Sequence, residues 1–351
     1  MLRGSNITIR LSICIATYNR GAFIGATLKS LTGQTNDQVE IVVLDGGSTD
    51  NTEEVVSQYQ QRLPRLRYFR QATKMGLDHD FAEAVRLAEG EYCWLFSDDD
   101  VFKHGAVQTV LEATERQYAL IIANAEVRNA DLSKLLESRR LSFDFDRTYK
   151  PSESDLLLAD CGRYLSFIGC VIIKNQIWAE REKQKYFGSY FAHVGVIFQS
   201  PLPQDALVIS EPLISVRYGN AMWFSKYFEI WMFKWPGVIW SLADYPDSVK
   251  AQVCPKEPWR NVARLLIHRA KGAYSKSSYR EWLEPRLSSF WTRAASKAVA
   301  YFPGPIANFL GVVYYSVFSR HSGRSLVLVD MVNSPFYCWG WLKRRPRAEQ
   351  L

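Results

Sequence analysis

Three consecutive aspartates, Asp98, Asp99 and Asp100, directly follow Ser97 and the apolar run YCWLF at residues 92–96. Adjacent carboxylates at the end of a strand repel one another, and a bound divalent cation would offset that repulsion. Hard cations such as Mg²⁺ and Mn²⁺ prefer oxygen ligands, and a typical Mg²⁺ site joins one or two carboxylates to substrate phosphates and water. The cluster therefore predicts a Mg²⁺ or Mn²⁺ site, and it leaves open which of the aspartates bind the ion.

Two further polar clusters follow apolar runs nearer the N-terminus. Thr17, Tyr18 and Asn19 follow the run at residues 9–16, and Asp45 ends the next run. Each polar cluster has a structural alternative, because Asn19 could cap a helix, Asp45 could serve a turn, and one of the three aspartates could cap the following helix. Ligands bind beyond the carboxyl ends of the strands in an open parallel sheet, so the three clusters together predict one binding crevice.

Alternating strand and helix patterns would bring these clusters to one edge of a sheet. Apolar runs predict five strands, at residues 9–16, 39–45, 66–70, 92–96 and 118–124. Helices are predicted between them from apolar residues at helical spacing, as in Phe81, Ala84, Val85 and Ala88. This β-α-β-α order with short glycine-rich turns predicts an α/β fold with a doubly wound, mostly parallel sheet.

The sequence lacks the signatures of several other kinds of site. It has no GxxxxGK[ST] phosphate loop, and no GxGxxG turn follows the first strand, which argues against P-loop and dinucleotide sites. Its 6 cysteines are widely spaced and form no CxxC pair, so neither a disulfide framework nor a zinc site is expected. The N-terminus enters a strand pattern directly, so we expect no signal peptide and a cytosolic location.

Charge is unevenly distributed along the chain. The net charge is +7, and residues 256–351 contain 16 Lys and Arg against 5 Asp and Glu, which leaves 27 basic and 31 acidic residues before them. The basic portion is rich in aromatic residues and ends close to the run KRRPR at residues 343–347. This combination favours an anionic membrane surface as a partner over nucleic acid, because no nucleic-acid-binding module is recognisable.

The motifs SICIATYNR, IVVLDGGSTDNT and AEGEYCWLFSDDD resemble, in order and spacing, the nucleotide-sugar domain of family 2 glycosyltransferases, which has the GT-A fold. The resemblance covers residues 9–125. It implies an inverting transfer from a nucleoside-diphosphate sugar, with Thr17, Tyr18 and Asp45 holding the nucleoside. Asn19 lies in the same turn, so we include it in the expected nucleotide site.

The same resemblance makes the three aspartates the DXD motif of that family. It implies that Asp98 and Asp99 lie against the ribose and the diphosphate, while Asp100 reaches the metal. We expect Asp100 to be the main metal ligand, with Asp98 beside it. A bound cation would stabilise the charge that develops on the leaving nucleoside diphosphate.

The catalytic base is the point at which the sequence departs from the family. The usual acidic pair before a helix of the acceptor half is not evident, and GSYFAHVGVIF takes its place, with His193 where a carboxylate is expected. A histidine with an ordinary pKa near 6.5 could accept the proton, or His193 could be a core or helix-start residue. Asp205, Glu182 and Glu211 are the other candidate bases. Histidine at this point also resembles the abequosyltransferase-like branch, which implies O-antigen units on a lipid carrier.

Two residues further along could complete the substrate site. Arg217 could reach a diphosphate, and Trp223 could stack on a sugar ring. The structural alternatives are a solvated strand residue for Arg217 and a core residue for Trp223.

The expected organisation is a GT-A glycosyltransferase domain at residues 1–222 and a helical, aromatic and basic region at residues 223–351. The first divides into a nucleotide-sugar half at residues 9–125 and an acceptor half at residues 126–222. The nearly uncharged run at residues 298–318 is long enough to span a bilayer, but its prolines argue against one continuous helix. Peripheral membrane attachment is therefore favoured, and a helical subdomain with a solvated basic surface is the alternative.

These features together predict an inverting, metal-dependent glycosyltransferase. Its expected acceptor is a hydroxyl of a glycan, polyprenyl-linked in the favoured case, in the synthesis of bacterial surface polysaccharide at the cytoplasmic face of the inner or plasma membrane. The alternative is a membrane-associated protein that binds nucleotide sugars or acts as a scaffold, with weak catalysis or none. No nucleic-acid partner is expected.

Overall fold

The computed structural model describes residues 8–220, 225–319 and 323–338. Trp223 and the basic run at residues 343–347 lie outside these described residues. The chain forms two compact units, namely Met1–Asn220 with Phe233–Lys256 as the first unit, and Ala221–Met232 with Glu257–Leu351 as the second unit.

The first unit is built on one large sheet. Its strands are β1 Leu11–Thr17, β2 Val39–Asp45, β3 Leu66–Arg70, β4 Tyr92–Ser97, β5 Val101–Phe102, β6 Leu120–Arg128, β7 Leu135–Glu137, β8 Arg147–Tyr149, β9 Val171–Lys174 and β10 Ala206–Arg217. The strand order is β3-β2-β1-β4-β9-β6-β10-β5, with β7 paired to β6 and β8 paired to β10. The six longest strands all run in one direction, and the four short ones pair antiparallel to them.

The helices of the first unit lie between these strands, except for the last two, which follow β10. They are α1 Gly21–Leu31, α2 Thr52–Gln60, α3 Leu77–Leu87, α4 Ala106–Thr114, α5 Ser154–Cys161, α6 Asn175–Glu180, α7 Ala192–Phe198, α9 Trp235–Trp240 and α10 Asp247–Val253. Every residue of β1 and of β2 is buried, as in parallel strands covered on both faces. The expected α/β architecture, doubly wound with a mostly parallel sheet, is confirmed, and β9 adds an antiparallel strand between β4 and β6.

An aromatic cluster fixes the strand that precedes the three aspartates. Trp94 and Phe96 lie on β4, and Phe102 lies on β5 just beyond the aspartates. The Phe102 ring stacks on Phe96 with 3.7 Å between centroids and meets Trp94 edge-on at 4.9 Å. The Trp94 Nε1–H donates to the Gly169 carbonyl at 2.8 Å, so the indole is both packed and hydrogen-bonded. These buried rings hold both sides of the turn that carries the carboxylates.

The second unit is helical. It contains α8 Tyr227–Glu229, α11 Val262–Lys271, α12 Lys276–Ser278, α13 Phe290–Tyr301, α14 Gly304–Val313 and α15 Arg324–Val332, and a π-helical turn, Tyr314–Phe318, follows α14. The apolar run at residues 298–318 is therefore divided among α13, α14 and the π-helical turn. Among the described residues, no helix combines the length and the apolar composition that crossing a bilayer requires.

Candidate active site

The carboxyl ends of three neighbouring strands meet at one edge of the sheet. Thr17 at the end of β1 pairs with Asp45 at the end of β2, and Ala16 pairs with Ser97 at the end of β4. The three polar clusters of the sequence are therefore adjacent in space, with Asp98 one residue beyond β4. Strand register alone brings them together.

Arg20, at the start of α1, is the counter-charge within the aspartate cluster. Its Nε donates to Asp98 Oδ1 at 3.2 Å, and its Nη2 donates to Asp99 Oδ2. The Arg20 side chain is only 9% exposed, so this ion pair is shielded from water. Its guanidinium also lies over the Phe23 ring, 4.6 Å from the centroid. One arginine therefore bridges the first two aspartates from the same edge of the sheet.

The carboxyl end of β10 closes the other side of the cluster. The Arg217 backbone N–H donates to Asp100 Oδ1 at 2.7 Å, and its Nε donates to the Asp99 carbonyl at 2.8 Å. The Asn220 side chain donates to Asp99 Oδ2 at 2.8 Å. Arg217 is therefore not the solvated strand residue of the structural alternative. It faces the aspartates and donates hydrogen bonds to the Asp100 carboxylate and to the Asp99 carbonyl.

Burial makes Asp98 and Asp100 costly to ionise. It raises the pKa of Asp98 to about 6, and the charge of Asp99 adds to the effect. Burial, and then the Asp99 charge, also raise the pKa of Asp100 well above its usual range. For Arg20, burial works against the charged form, but the neighbouring aspartates outweigh it and raise its pKa. Full ionisation of the cluster would therefore place more negative charge there than its hydrogen bonds offset.

Asp45 is fully buried and organises the turn after β2. Its Oδ1 accepts from the Ser48 N–H and hydroxyl, each at 2.7 Å, and its Oδ2 accepts from the Tyr68 hydroxyl at 2.6 Å. Gly47 in this turn has φ +86°, in the left-handed region that favours glycine. Burial and the hydrogen bond to Asp45 raise the pKa of Tyr68 far above its usual range. Asp45 thus has the turn role that the sequence allowed, at the edge where a nucleoside is expected.

The residues after β1 connect to that same turn. Asn19 adopts φ +53°, its N–H donates to the Ser48 hydroxyl at 2.8 Å, and its side-chain oxygen accepts from the Thr49 N–H at 2.7 Å. Thr17 is buried, and Lys74 Nζ lies 3.6 Å from the centroid of the Tyr18 ring. Asn19 therefore joins the two turns rather than capping α1.

Two buried carboxylates on the first turn of α3 adjoin this edge. Asp78 accepts from the Tyr190 N–H at 2.8 Å and from the Ala192 N–H at 3.1 Å, so it holds the entry to α7. Asp80 lies beside Gly46, where an added Cβ would come within 3.3 Å of its Oδ2. Burial raises the pKa of Asp80 to about 6, and perturbed carboxylates of this kind are typical of functional sites.

His193 lies on α7 and is 2% exposed. Its Nε2 is 2.8 Å from the Leu165 carbonyl, so Nε2 carries the proton and Nδ1 is the basic atom. Nδ1 is buried and has no hydrogen-bond partner in the described part of the chain. Burial lowers the pKa of His193 to about 4, which makes it neutral near pH 7. The burial of His193 agrees with the alternative that it is a core residue. Its Nδ1 remains unprotonated and could still accept a proton.

The other three candidate bases lie in different settings. Asp205 precedes β10, at the opposite end of that strand from Arg217 and the aspartate cluster. Glu211 is exposed within β10, and Glu182 is exposed and accepts from the Gln184 N–H at 2.6 Å. The strand direction thus separates Asp205 from the candidate site.

The aspartates fit a divalent cation only when other ligands complete its shell. Within residues 8–220, 225–319 and 323–338, no three His, Cys, Asp or Glu side chains converge in a way that could hold a metal ion. Asp100 Oδ1 accepts from the Arg217 N–H. Burial raises the pKa values of Asp98 and Asp100, so a bound cation would stabilise the ionised form of these two carboxylates. One or two such carboxylates suit an ion that is completed by a diphosphate.

Sequence reasoning missed Arg20, Asn220, Asp78 and Asp80. Arg20 stands within the quoted motif SICIATYNR, but its partners lie 78 and 79 positions away. Asp78 and Asp80 carry a readable signal, since two carboxylates stand in the first turn of an otherwise amphipathic helix. Their burial is what distinguishes them from ordinary helix-start acids, which stay solvated.

Comparisons with known proteins identify similar sequences among glycosyltransferases. Residues 12–168 match the sequence profile described as Glycosyl transferase family 2. The chain is 28% identical over 225 residues to abequosyltransferase RfbV of Salmonella typhimurium, covering 60% of this chain and 67% of that protein. It is 27% identical over 215 residues to GalNAc(5)-diNAcBac-PP-undecaprenol beta-1,3-glucosyltransferase of Campylobacter jejuni. That match covers 57% of this chain and 67% of the Campylobacter protein.

A solved structure extends the likeness across most of the chain. The crystal structure of S. aureus TarS 1-349 in complex with UDP-GlcNAc superimposes with a TM-score of 0.54 at 15% identity. The alignment covers 92% of this chain and 91% of that one. At this identity the likeness establishes the fold.

Proposed function

We propose that this chain, in which residues 12–168 match glycosyl transferase family 2, transfers a sugar, with inversion, from a nucleoside-diphosphate sugar to a hydroxyl of a lipid-linked glycan in bacterial surface polysaccharide synthesis. The observation that carries the proposal is the convergence of Thr17, Asp45 and Asp98 at one edge of the sheet. Similarity to an abequosyltransferase and to an enzyme named for an undecaprenol-linked acceptor supports the polysaccharide and lipid-linked parts.

The donor is proposed to lie along that edge. Thr17, Tyr18, Asn19 and Asp45 would hold the nucleoside, because two connected turns place their polar groups together. Buried donors and acceptors with fixed geometry favour one base over another, since a mismatched ligand would leave them unpaired. Arg217, held against the aspartates, is proposed to keep the cluster in place and to face the diphosphate.

A divalent cation is proposed as part of the site. Asp100 and Asp98 would hold Mg²⁺ or Mn²⁺, with Asp99 restrained by Arg20 and Asn220. When bound, the ion would neutralise charge on the leaving diphosphate. The chain's own contribution is to keep two carboxylates desolvated and fixed, so that little reorganisation is needed as charge develops.

The acceptor hydroxyl must lose a proton as it attacks, and His193 is the proposed base through Nδ1. Its Nε2–H is fixed by the Leu165 carbonyl, which sets the tautomer. Asp80 is the second candidate, because a pKa of about 6 lies nearer the working pH than a pKa of about 4. Comparing the turnover of His193→Gln with that of Asp80→Asn distinguishes the two candidates. Loss of the true base is expected to lower turnover by about 10²-fold or more.

Peripheral attachment at the cytoplasmic face of the membrane is proposed as the location. A polyprenyl-linked acceptor places its hydroxyl at a bilayer surface, and the basic second unit has the charge that anionic headgroups attract.

The deciding experiment is a screen of nucleotide sugars for hydrolysis, followed by calorimetric titration of the matching nucleoside diphosphate with and without Mn²⁺. We expect one donor class to be hydrolysed, and we expect metal to strengthen diphosphate binding in the wild type but not in Asp100→Ala. Asp37→Ala is the control, because that side chain is 77% exposed in the same unit. No hydrolysis of any donor would favour the binding or scaffold alternative, and metal-independent binding would remove the cation from the proposal.

A further inference from the structure

Helix α14 and the π-helical turn after it have apolar residues on two opposite faces. The inner face is packed, with Ala307 and Val312 buried in a cluster with Ala270 and Met331. Asn308 is fully buried on this face, and its side-chain N–H groups donate to the carbonyls of Ala270 at 2.9 Å and Met331 at 2.8 Å. These two hydrogen bonds to α11 and α15 fix the rotation of α14 about its axis.

The opposite face is exposed and is here named the outer stripe. Its members, with their exposed fractions, are Ile306 49%, Leu310 54%, Val313 37%, Tyr314 55%, Val317 68% and Phe318 68%. Their spacing follows one side of a helix. Because the inner face fixes the rotation, the helix cannot bury the outer stripe by turning. An extended apolar surface of this kind on a folded unit indicates an interaction site.

The charges around the outer stripe indicate which partner it meets. Residues 298–318 contain no charged side chain, and along the sequence residues 285–329 contain no Asp or Glu but five basic residues, namely Arg286, Arg293, Lys297, Arg324 and, outside the described residues, Arg320. Two aromatic residues at the start of α13, Phe290 and Trp291, are 73% and 78% exposed. Apolar and aromatic residues flanked by Lys and Arg, without acids, match the boundary between headgroups and acyl chains of an anionic bilayer.

We propose that the outer stripe inserts into the headgroup–acyl boundary of an anionic lipid bilayer, parallel to its surface. From Ile306 to Phe318 the stripe extends about 18 Å, at ~1.5 Å of rise per residue, while the hydrocarbon core is about 30 Å thick. The stripe therefore lies in one leaflet. The excess of positive charge favours anionic lipid over a second copy of this chain, because two copies of this face would bring like charges together.

This inference deepens the proposed function, since a lipid-linked acceptor must be met at a bilayer surface. It is tested by vesicle binding, which does not depend on sugar transfer. Hydrolysis of a soluble nucleotide sugar is measured in parallel. If a stripe variant loses vesicle binding but keeps hydrolysis, the result concerns the outer stripe alone. If the wild type hydrolyses no nucleotide sugar, the result counts against the proposed function alone.

The experiment is co-sedimentation of the full chain with vesicles of phosphatidylcholine, with or without an equal part of phosphatidylglycerol. Leu310→Ser/Val317→Ser is expected to lower partition into the mixed vesicles by at least about tenfold, equivalent to about 1.4 kcal/mol. Phe145→Ser is the matched control, because Phe145 is an 81% exposed apolar residue of the first unit. Arg293→Gln/Lys297→Gln is expected to weaken binding to mixed vesicles more than to phosphatidylcholine alone, because only the mixed vesicles are anionic.

Folding and self-association are controlled in the same proteins. Thermal unfolding shows whether the serine variant folds, and Leu310→Ala/Val317→Ala replaces it if it does not. The proposal is overturned if the wild type does not bind the mixed vesicles, or if the stripe variants bind as well as Phe145→Ser. It is also overturned if sedimentation velocity without lipid shows a wild-type dimer that the stripe substitutions dissociate.

Discussion

The aspartate cluster of the first unit and the outer stripe of the second unit both contain side chains in environments that are unfavourable for the stability of the fold. The cluster buries carboxylates that water would stabilise, and the stripe exposes apolar groups that a core would stabilise. The cluster is held by hydrogen bonds from Arg20, Arg217 and Asn220, whereas no such restraint is needed to keep the stripe exposed. Buried charge must be held at many points, while exposed apolar surface requires only that the opposite face be fixed. Substitutions should therefore affect folding in the first region and association in the second.

Removing the counter-charge is expected to have the largest effect on stability. Arg20→Gln leaves Asp98 and Asp99 buried without their guanidinium, and breaking a buried pair costs about 3–5 kcal/mol. Arg65→Gln is the control, since Arg65 is 40% exposed and its pair with Asp37 spans 3.9 Å; exposed pairs contribute about 0–1 kcal/mol. Denaturant unfolding measures both variants, and Asp98→Asn added to Arg20→Gln should recover part of the loss. Equal losses from Arg20→Gln and Arg65→Gln would show that Arg20 does not hold the cluster.

Asp100→Asn is expected to change activity and stability in opposite directions. Turnover should fall by about 10²-fold or more, as when one fixed group that stabilises developing charge is lost. The melting temperature should rise at neutral pH, because burial raises the pKa of Asp100 and makes its ionised form costly in the folded state. The amide oxygen of asparagine can still accept from Arg217.

The stabilising effect of Asp100→Asn is expected to depend on pH. The folded-state pKa of Asp100 is above its unfolded value, so wild-type stability is lost as pH rises past the unfolded pKa of about 4. The stabilising effect of Asp100→Asn should therefore be absent below about pH 4 and grow as pH rises. Melting curves at several pH values measure it, and Asp37→Asn is the control, because that side chain is 77% exposed in the same unit. A melting temperature that falls at pH 7 would contradict the expected cost of ionised Asp100.

His193 is expected to weaken the fold in acid. Its pKa of about 4 in the folded state lies below the unfolded value of about 6.5. As pH falls through this window the unfolded chain gains a proton that the folded chain resists, so stability is lost by roughly 2–3 kcal/mol. His193→Gln should remove that part of the acid-induced loss in denaturant titrations at pH 7 and pH 4. An unchanged difference between the two pH values would mean that His193 is accessible to water.

The smallest expected effect is that of the outer stripe on folding. Leu310→Ser should change the free energy of unfolding by about 0.5 kcal/mol or less, as exposed substitutions do. Met331→Ala, on the packed side, should cost about 2–5 kcal/mol. Thermal unfolding of the two variants without lipid measures the contrast. A large loss from Leu310→Ser would show that the stripe packs against protein rather than standing in solvent.

Much of the first unit was predictable because its signals are local. Continuous apolar runs predicted β1 to β4, and β2 and β3 have the bounds that the runs indicated. The polar residues after these strands follow from the rule that open parallel sheets bind ligands at their carboxyl ends. Strand β9 was not placed between β4 and β6, because pairing order depends on contacts between distant segments.

The roles within the cluster were less predictable. The sequence indicated a cation for the three aspartates, and the fold supplies Arg20 from a turn 78 positions earlier. His193 had an ordinary pKa by residue type, and burial beside Leu165 lowers it to about 4. Ionisation and pairing depend on desolvation and distance, which are properties of packed neighbours.

By itself, the sequence determined the strand and helix alternation, the carboxylates at the end of β4, the glycine-rich turn after Asp45, and the basic, acid-poor character of residues 285–329. Each of these is a property of residue type and of short spacing along the chain. Only the tertiary structure decided that Arg20 meets Asp98 and Asp99, that Asp78 holds the entry to α7, and that one apolar face of α14 stays exposed. The physical reason is that charge pairing, burial and exposure are set by which distant segments pack together, and no local pattern encodes that choice.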